Sequence, residues 1–317
     1  MKTLKTYLSK KNILSIADLS GNEIDLILKL AIKLKKEHKN SKDRKLLNGK
    51  TLGMIFQKPS TRTRISFEVG MYQLGGNALY LSTNDIQLAR GETIEDTAKT
   101  LSLYLDCIMA RVYDHTDIQK LSANSSIPVI NGLSDAYHPC QVLADLLTIL
   151  EHKKKLKGLR LAWLGDGNNV CNDLLLGCAK TGISITAACP KGYEPLEEAV
   201  NIASYEANKS GADILITEDP AAAAKDADIV ATDTIISIGK EGERTTRESV
   251  FLPKYQVNSD TMKLAKKEAI FMHCLPAKRG QEVTADVIDG KASVVWSEAE
   301  NRLHVQKALL CLLMNAV

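Results

Sequence analysis

The stretch Phe56-Gln57-Lys58-Pro59-Ser60-Thr61-Arg62-Thr63-Arg64-Ile65-Ser66-Phe67-Glu68 stands where one kind of apolar pattern gives way to another. Before it, Thr51 to Phe56 is a short apolar run that reads as a buried strand. After it, Ile65 to Leu74 is apolar-periodic and closes at Gly75-Gly76, which reads as a helix with glycine past its C-terminus. The hydroxyls and guanidinium groups therefore sit at a strand-to-helix turn. Such a turn offers unpaired backbone N–H groups and the positive end of the helix dipole. Ser60, Thr61 and Thr63 with Arg62 and Arg64 add charge-assisted donors. A serine alone would be explained as a helix cap; two Thr-Arg pairs after Pro-Ser point to a bound phosphate group.

Working outward, strand-like runs alternate with helix-like segments along the whole chain. In the first half the strands are Thr51 to Phe56, Ala78 to Leu81, Cys107 to Val112 and Pro128 to Ile130, and an amphipathic helix covers Asn22 to His38. In the second half they are Leu159 to Leu164, Ser184 to Ala188, Asp213 to Thr217, Ile229 to Thr232, Ala269 to Met272 and Ser293 to Trp296. Strands separated by helices imply parallel βαβ units. A chain of 317 residues exceeds what one core usually serves. The fold expected is α/β, with two doubly wound parallel-sheet domains joined by interdomain helices. The polar run Lys153 to Gly158 suggests the division: a first domain over 1–152, a second over 153–297, and a final helix, about 298–317, packing back on the first.

The composition, 44% hydrophobic and 25% charged, is that of an ordinary globular protein. A net charge of +3 gives no argument for nucleic acid, and the basic cluster Lys33 to Lys45 reads as a solvated helix face. No apolar run approaches membrane-spanning length, so no membrane partner is expected and the location expected is cytoplasmic. Seven cysteines, none in a Cys-x-x-Cys pair, suit reduced thiols, and no metal site is expected.

In doubly wound sheets ligands bind beyond the carboxyl ends of strands, and several polar clusters fall there. Arg111 ends one strand, and His138-Pro139-Cys140-Gln141 opens a helix in the same domain as the Ser60 to Arg64 turn. Gly165-Asp166-Gly167-Asn168-Asn169 has the placement of a dinucleotide loop but lacks the third glycine, and its two amides suit a zwitterionic small molecule better than NAD. Asp233 to Gly239 offers a carboxylate and the Ser237 hydroxyl for an amine. In His273-Cys274-Leu275-Pro276 the cysteine reads equally as buried filler, nucleophile or orienting thiol.

Taken with Glu300-Asn301-Arg302-Leu303-His304, these motifs resemble, in order and spacing, the ornithine carbamoyltransferases. The resemblance covers essentially the whole chain. The Ser-Thr-Arg-Thr-Arg motif is common to carbamoyltransferases; His-Cys-Leu-Pro is the narrower signal for the ornithine enzymes. One departure is Ile238, where the family's loop usually carries methionine; isoleucine keeps an apolar wall, and ornithine is expected still to fit. The resemblance implies that carbamoyl phosphate is held by Ser60, Thr61, Arg62, Thr63, Arg111, His138 and Gln141, with Cys274, Leu275 and Arg302 closing over it. It implies that Gln87 reaches the site of a neighbouring subunit in a homotrimer or multiple of trimers, and that Asn169, Asp233, Ser237 and Ile238 hold L-ornithine. Arg111, His138, Asp233 and Cys274 are the implied catalytic groups. No cofactor is implied, because the phosphate leaving group is already activated. The alternatives are a carbamoyltransferase for another amine, such as putrescine or a modified ornithine, and a non-catalytic small-molecule-binding relative.

Overall fold

The computed structural model describes residues 8–236 and 240–316. The chain forms two compact units, one of Met1–Ala144 with Glu300–Val317 and one of Asp145–Ala299. Both divisions fall inside helices, Pro139–Lys153 and Val295–Leu313.

The first unit is built on strands β1 (Thr51–Phe56), β2 (Asn77–Ser82), β3 (Cys107–Arg111) and β4 (Val129–Leu133), all parallel in the order β2-β1-β3-β4. Its helices are α1 (Gly21–Lys39), α2 (Thr61–Gln73), α3 (Ile94–Ser102), α4 (His115–Asn124) and the start of α5 (Pro139–Lys153). Every residue of β3 is buried, as expected of a parallel strand covered on both faces. Ile55, Ile108, Ala110 and Val129 of the sheet pack with Ala98, Ile118 and Leu121 of α3 and α4. Register brings Phe56 beside Arg111 and Arg111 beside Leu133, so three strand ends lie side by side.

The second unit holds β5 (Arg160–Leu164), β6 (Ser184–Ala188), β7 (Ile214–Thr217), β8 (Ile229–Thr232) and β9 (Ile270–His273), parallel in the order β7-β6-β5-β8-β9. Around it run α6 (Asn169–Thr181), α7 (Glu197–Ser210), α8 (Pro220–Ala224), α9 (Arg244–Phe251), α10 (Ser259–Leu264) and α11 (Ala285–Ile288). Phe251, Tyr255 and Phe271 centre its core. Strand order reverses between β1 and β3 in the first sheet and between β5 and β8 in the second. At such switch points the connections leave in opposite directions and open a crevice at the strands' carboxyl ends.

The strand expected over Ser293 to Trp296 is not formed: Ser293 makes a single bridge to Phe271, and the last helix, α12 (Val295–Leu313), has already begun. The Glu298 N–H donates to the Val294 carbonyl at 3.0 Å, which closes a helical turn over that apolar run. A short apolar run has no period that separates a strand from a helix start. Helices α8 to α11 carried no sequence expectation; α8 follows Asp219, which caps it through two N–H groups, and begins at Pro220.

Candidate functional site

In the first unit, the turn after β1 is fixed from below. The Gln57 N–H donates to the Arg111 carbonyl at 2.9 Å. The Gln57 side chain accepts from the Tyr113 N–H at 2.7 Å and donates to Asp117 at 2.8 Å. The ends of β1 and β3 are thereby locked together. Ser60 caps α2, its hydroxyl accepting the Thr63 N–H at 3.2 Å. The two arginines of the motif then part: Arg62 is half-buried at the cradle, while Arg64 pairs with Glu68 at 3.0 Å and lies 3.9 Å from the Tyr80 ring centroid. Thr61 is exposed at the first helical position.

One side chain of α12 ties buried Thr63 to α5. Arg302, from α12, donates to Thr63 Oγ1 at 3.3 Å and to Gln141 Oε1 at 2.7 Å. Buried Asn131 donates to the Leu14, Ser134 and Tyr137 oxygens and so holds the turn that delivers His138 to the start of α5. His138 is buried, and among the described residues its Nδ1 has no protein hydrogen-bond partner. Burial, then Arg302, Arg111, Lys58 and Arg62, hold its pKa well below the usual imidazole range. One neutral imidazole thus sits among four cations. Such a gathering of positive charge, beside the N-terminus of α2, is suited to an anion.

In the second unit, Gly165 takes a φ of +137°, and a Cβ on Gly167 would lie 2.2 Å from Pro195 N and 2.3 Å from Glu194 C. Both glycines are therefore required by the loop itself. Asn168 caps α6, accepting the Val170 and Cys171 N–H groups, and its amide donates to Asp233 Oδ2 at 2.8 Å. Asn169 is the first residue of α6 and half-buried. Asp233 Oδ1 accepts the Thr234 N–H at 2.7 Å and the Cys274 thiol at 2.9 Å. Burial, then Asp233, Glu298 and Asp145, push the Cys274 thiol well above its usual pKa. Cys274 is therefore a neutral donor, which weakens the nucleophile reading and favours the orienting one.

The turn carrying Cys274 is held tightly. Leu275 has a φ of +57°, a rare conformation for a branched side chain, and its N–H donates to His273 Nδ1 at 2.9 Å. His273 Nε2 then carries the proton and donates to Glu282 at 3.1 Å. Asp233, His273 and Cys274 present ligand-type atoms within 4.8 Å of one another, a spacing these hydrogen bonds already account for.

Residues 11–151 match the aspartate/ornithine carbamoyltransferase carbamoyl-P binding domain, and residues 157–313 match the Asp/Orn binding domain of the same family. The chain belongs to the aspartate/ornithine carbamoyltransferase family. An ornithine carbamoyltransferase of Cenarchaeum symbiosum is 56% identical over 95% of this chain and 97% of its own. The solved ornithine carbamoyltransferase of Pyrococcus furiosus superposes with a TM-score of 0.95 at 52% identity, covering 98% of this chain and 99% of that one. The anabolic enzyme of Campylobacter jejuni superposes at 0.90 with 43% identity, over 96% and 99%.

Two residues of this carbamoyltransferase carried no sequence expectation. Lys58 is buried between β1 and Pro59, 4.9 Å from the Tyr113 ring centroid. Burial and Arg111, against the opposing pull of Asp135, bring its pKa down to about 8. Its signal was its place, a lysine at the carboxyl end of a buried strand. Buried Arg247 of α9 contacts the loops after β5 and β8, donating to Asp166 and to the Ile235 carbonyl, and nothing in its local sequence marks it. Gln87 is exposed on the turn Gln87–Arg90 after β2 and stands outside the hydrogen-bonded cradle. Ser237 and Ile238 lie outside the described residues. Among the described residues, no helix is long and apolar enough to cross a membrane.

Proposed function

We propose that the protein is an ornithine carbamoyltransferase, moving the carbamoyl group of carbamoyl phosphate to the δ-amine of L-ornithine to give L-citrulline and phosphate. The observation that carries this is the neutral His138 among Arg302, Arg111, Lys58 and Arg62, a cationic cradle at a helix start. Arg62, Thr63 and the first N–H groups of α2 bind the phosphate. Arg111, His138 and Gln141 bind the carbamoyl group and meet the charge that builds on its oxygen, donors of the kind whose single removal costs about 10²–10³ in rate. Leu275 and Arg302 complete the carbamoyl phosphate set, with Ser60 and Thr61 at the turn itself.

The amine attacks the carbonyl carbon, a tetrahedral intermediate forms, and its collapse breaks the C–O bond to phosphate, which leaves with the proton that the amine nitrogen gives up. Only the neutral amine has the lone pair to attack. Asp233, anchored by Asn168 and Thr234, accepts from the amine, and the Cys274 thiol orients it. Asn169, Ser237 and Ile238 hold the rest of ornithine. The relatives named for ornithine support this acceptor, and the name anabolic on one of them supports the citrulline-forming direction. Free thiols at all seven cysteines support a reducing, cytoplasmic location.

The working assembly in this reading is a homotrimer, with Gln87 lent to a neighbour's site. Ile65, Val69 and Tyr72 on α2, with Leu79 and Tyr80 on the edge strand β2, leave an apolar face exposed in the single chain. Mixing Gln87→Ala subunits with Arg62→Ala subunits tests it: trimers with shared sites regain activity, and unshared sites stay dead. The acceptor is tested by citrulline-type product formation with L-ornithine, putrescine, N-acetyl-L-ornithine and L-aspartate side by side. A preference for any acceptor but ornithine overturns the assignment while leaving the cradle in place.

A further inference from the structure

Beside Cys274 lies a small cavity of about 10 Å³. Trp163, Val170 and Leu174 supply much of its wall, with Thr232, His273 and Cys274, and two carboxyl side chains enter it. Asp145 comes from α5 and Glu298 from α12, and both are buried. The two carboxyls are hydrogen-bonded to each other. Neither oxygen of a carboxylate can donate, so that bond needs a proton between them. Glu298 Oε2 also accepts the His273 N–H at 2.9 Å. His273 is the last residue of β9, an edge strand, and this carboxyl supplies the acceptor for its buried N–H at the step before Cys274.

We propose that Asp145 and Glu298 share one proton and, as a singly charged carboxyl pair, position the His273–Cys274–Leu275 turn for carbamoyl transfer. Two buried ionised carboxylates this close would repel each other and lack solvent, so one proton is retained at neutral pH. Burial and the Asp145 charge raise the Glu298 pKa accordingly. Among the groups that face the pair are Asp233 at the end of β8, His273 and Cys274 at the end of β9, and Cys178 on α6, whose thiol is raised by burial and by Asp145. Loss of the shared proton would set a second negative charge against the Asp233 side of the cluster and against the thiol that orients the amine. Asp145 and Glu298 are positioning residues: they act on the substrate only through His273 and Cys274. The inference rests on the carbamoyl-transfer reading of Asp233 and Cys274.

Glu298→Gln decides it, because the amide copies a protonated carboxyl: its oxygen accepts from His273 and its nitrogen donates to Asp145. The glutamine enzyme should keep a kcat close to that of the unaltered enzyme, and the fall of kcat at alkaline pH should move upward, since an amide cannot lose the proton. Glu298→Ala should lower kcat about 10²-fold by releasing the turn, with the KM for carbamoyl phosphate unchanged. Infrared spectra of the unaltered enzyme at pH 7 should show the C=O stretch of a buried protonated carboxylic acid that is missing from Glu298→Gln. Absence of that band, or a glutamine enzyme as impaired as the alanine one, overturns the proposal. The band and the glutamine variant decide the matter even if the alanine variant does not fold. Should ornithine fail as acceptor, the band still reports the shared proton, so the two readings fail separately.

Discussion

The two units meet their ligands with opposite electrostatics. The first gathers cations, Arg62, Arg111, Arg302 and Lys58, round a neutral imidazole. The second gathers acids and a thiol, Asp233, Cys274, Glu298 and Asp145, and burial raises the pKa of Cys274 and of Glu298. In the proposed reaction the difference follows from what each must do. A phosphate arrives charged and gains from fixed cations that its own charge relieves. An amine arrives protonated and must become neutral, so its site needs acceptors that orient it without trapping it as a permanent ion pair.

The largest test of this contrast is on the cationic side. Arg62→Ala should lower kcat/KM for carbamoyl phosphate about 10²–10³-fold, measured from initial rates over a range of that substrate. Unchanged carbamoyl phosphate affinity would refute the cradle. On the acid side, Cys274→Ser keeps a neutral donor for Asp233, so the loss in kcat should be nearer tenfold, about one charged-group hydrogen bond weakened rather than abolished. A carbamoyl group trapped on Cys274, detected by intact-mass measurement after quenching, would sink the orienting role and make the two halves chemically alike.

How much of this was legible in the sequence depended on distance along the chain. The strand-to-helix turn at Ser60 and the Gly165 to Asn169 loop were readable because strand, turn residues and helix are contiguous there. The second role of Ser60 was readable too: the hydroxyl caps the helix, as serine usually does. What escaped was set by the fold. Asn168 was read as a ligand-facing amide with Asn169, yet it caps α6 and clamps Asp233, a residue 65 positions away that only the β5–β8 switch point brings near. Arg302 reaches Thr63 across 239 positions, and only the motif resemblance put it in the site. Glu298 had no signal, since a lone glutamate at a helix start is ordinarily exposed. The false strand at Ser293 to Trp296 arose because a run of four cannot show its period.

A smaller effect sharpens the picture of the cradle. Lys58, with its pKa lowered to about 8, is charged below that pH and neutral above it. An anion bound beside it favours the charged form and raises the pKa again. Binding of inorganic phosphate at pH 8 should therefore take up about half a proton per site. Titration calorimetry in two buffers of different ionisation enthalpy measures this, and Lys58→Arg, which never deprotonates, should abolish it. Heats that do not depend on the buffer would place Lys58 outside the anion's field.

The smallest effect tests the contrast inside a single motif. Arg62 and Arg64 are two positions apart, and a helix turns neighbouring residues so spaced to opposite sides. Arg62 is half-buried at the start of α2; Arg64 is exposed, paired with Glu68 one turn on and lying against Tyr80 of the edge strand. An exposed pair at that spacing contributes about 0.3–0.5 kcal/mol. Arg64→Ala should accordingly leave carbamoyl phosphate affinity unchanged and shift the thermal midpoint by no more than a few degrees, where Arg62→Ala removes affinity and spares stability. If the subunits associate through the face that carries Tyr72 and Tyr80, the loss from Arg64→Ala appears instead as weaker association, read from sedimentation over a dilution series. A loss of affinity from Arg64→Ala at full assembly would mean that both arginines face the anion and that the helix start is turned differently about its axis.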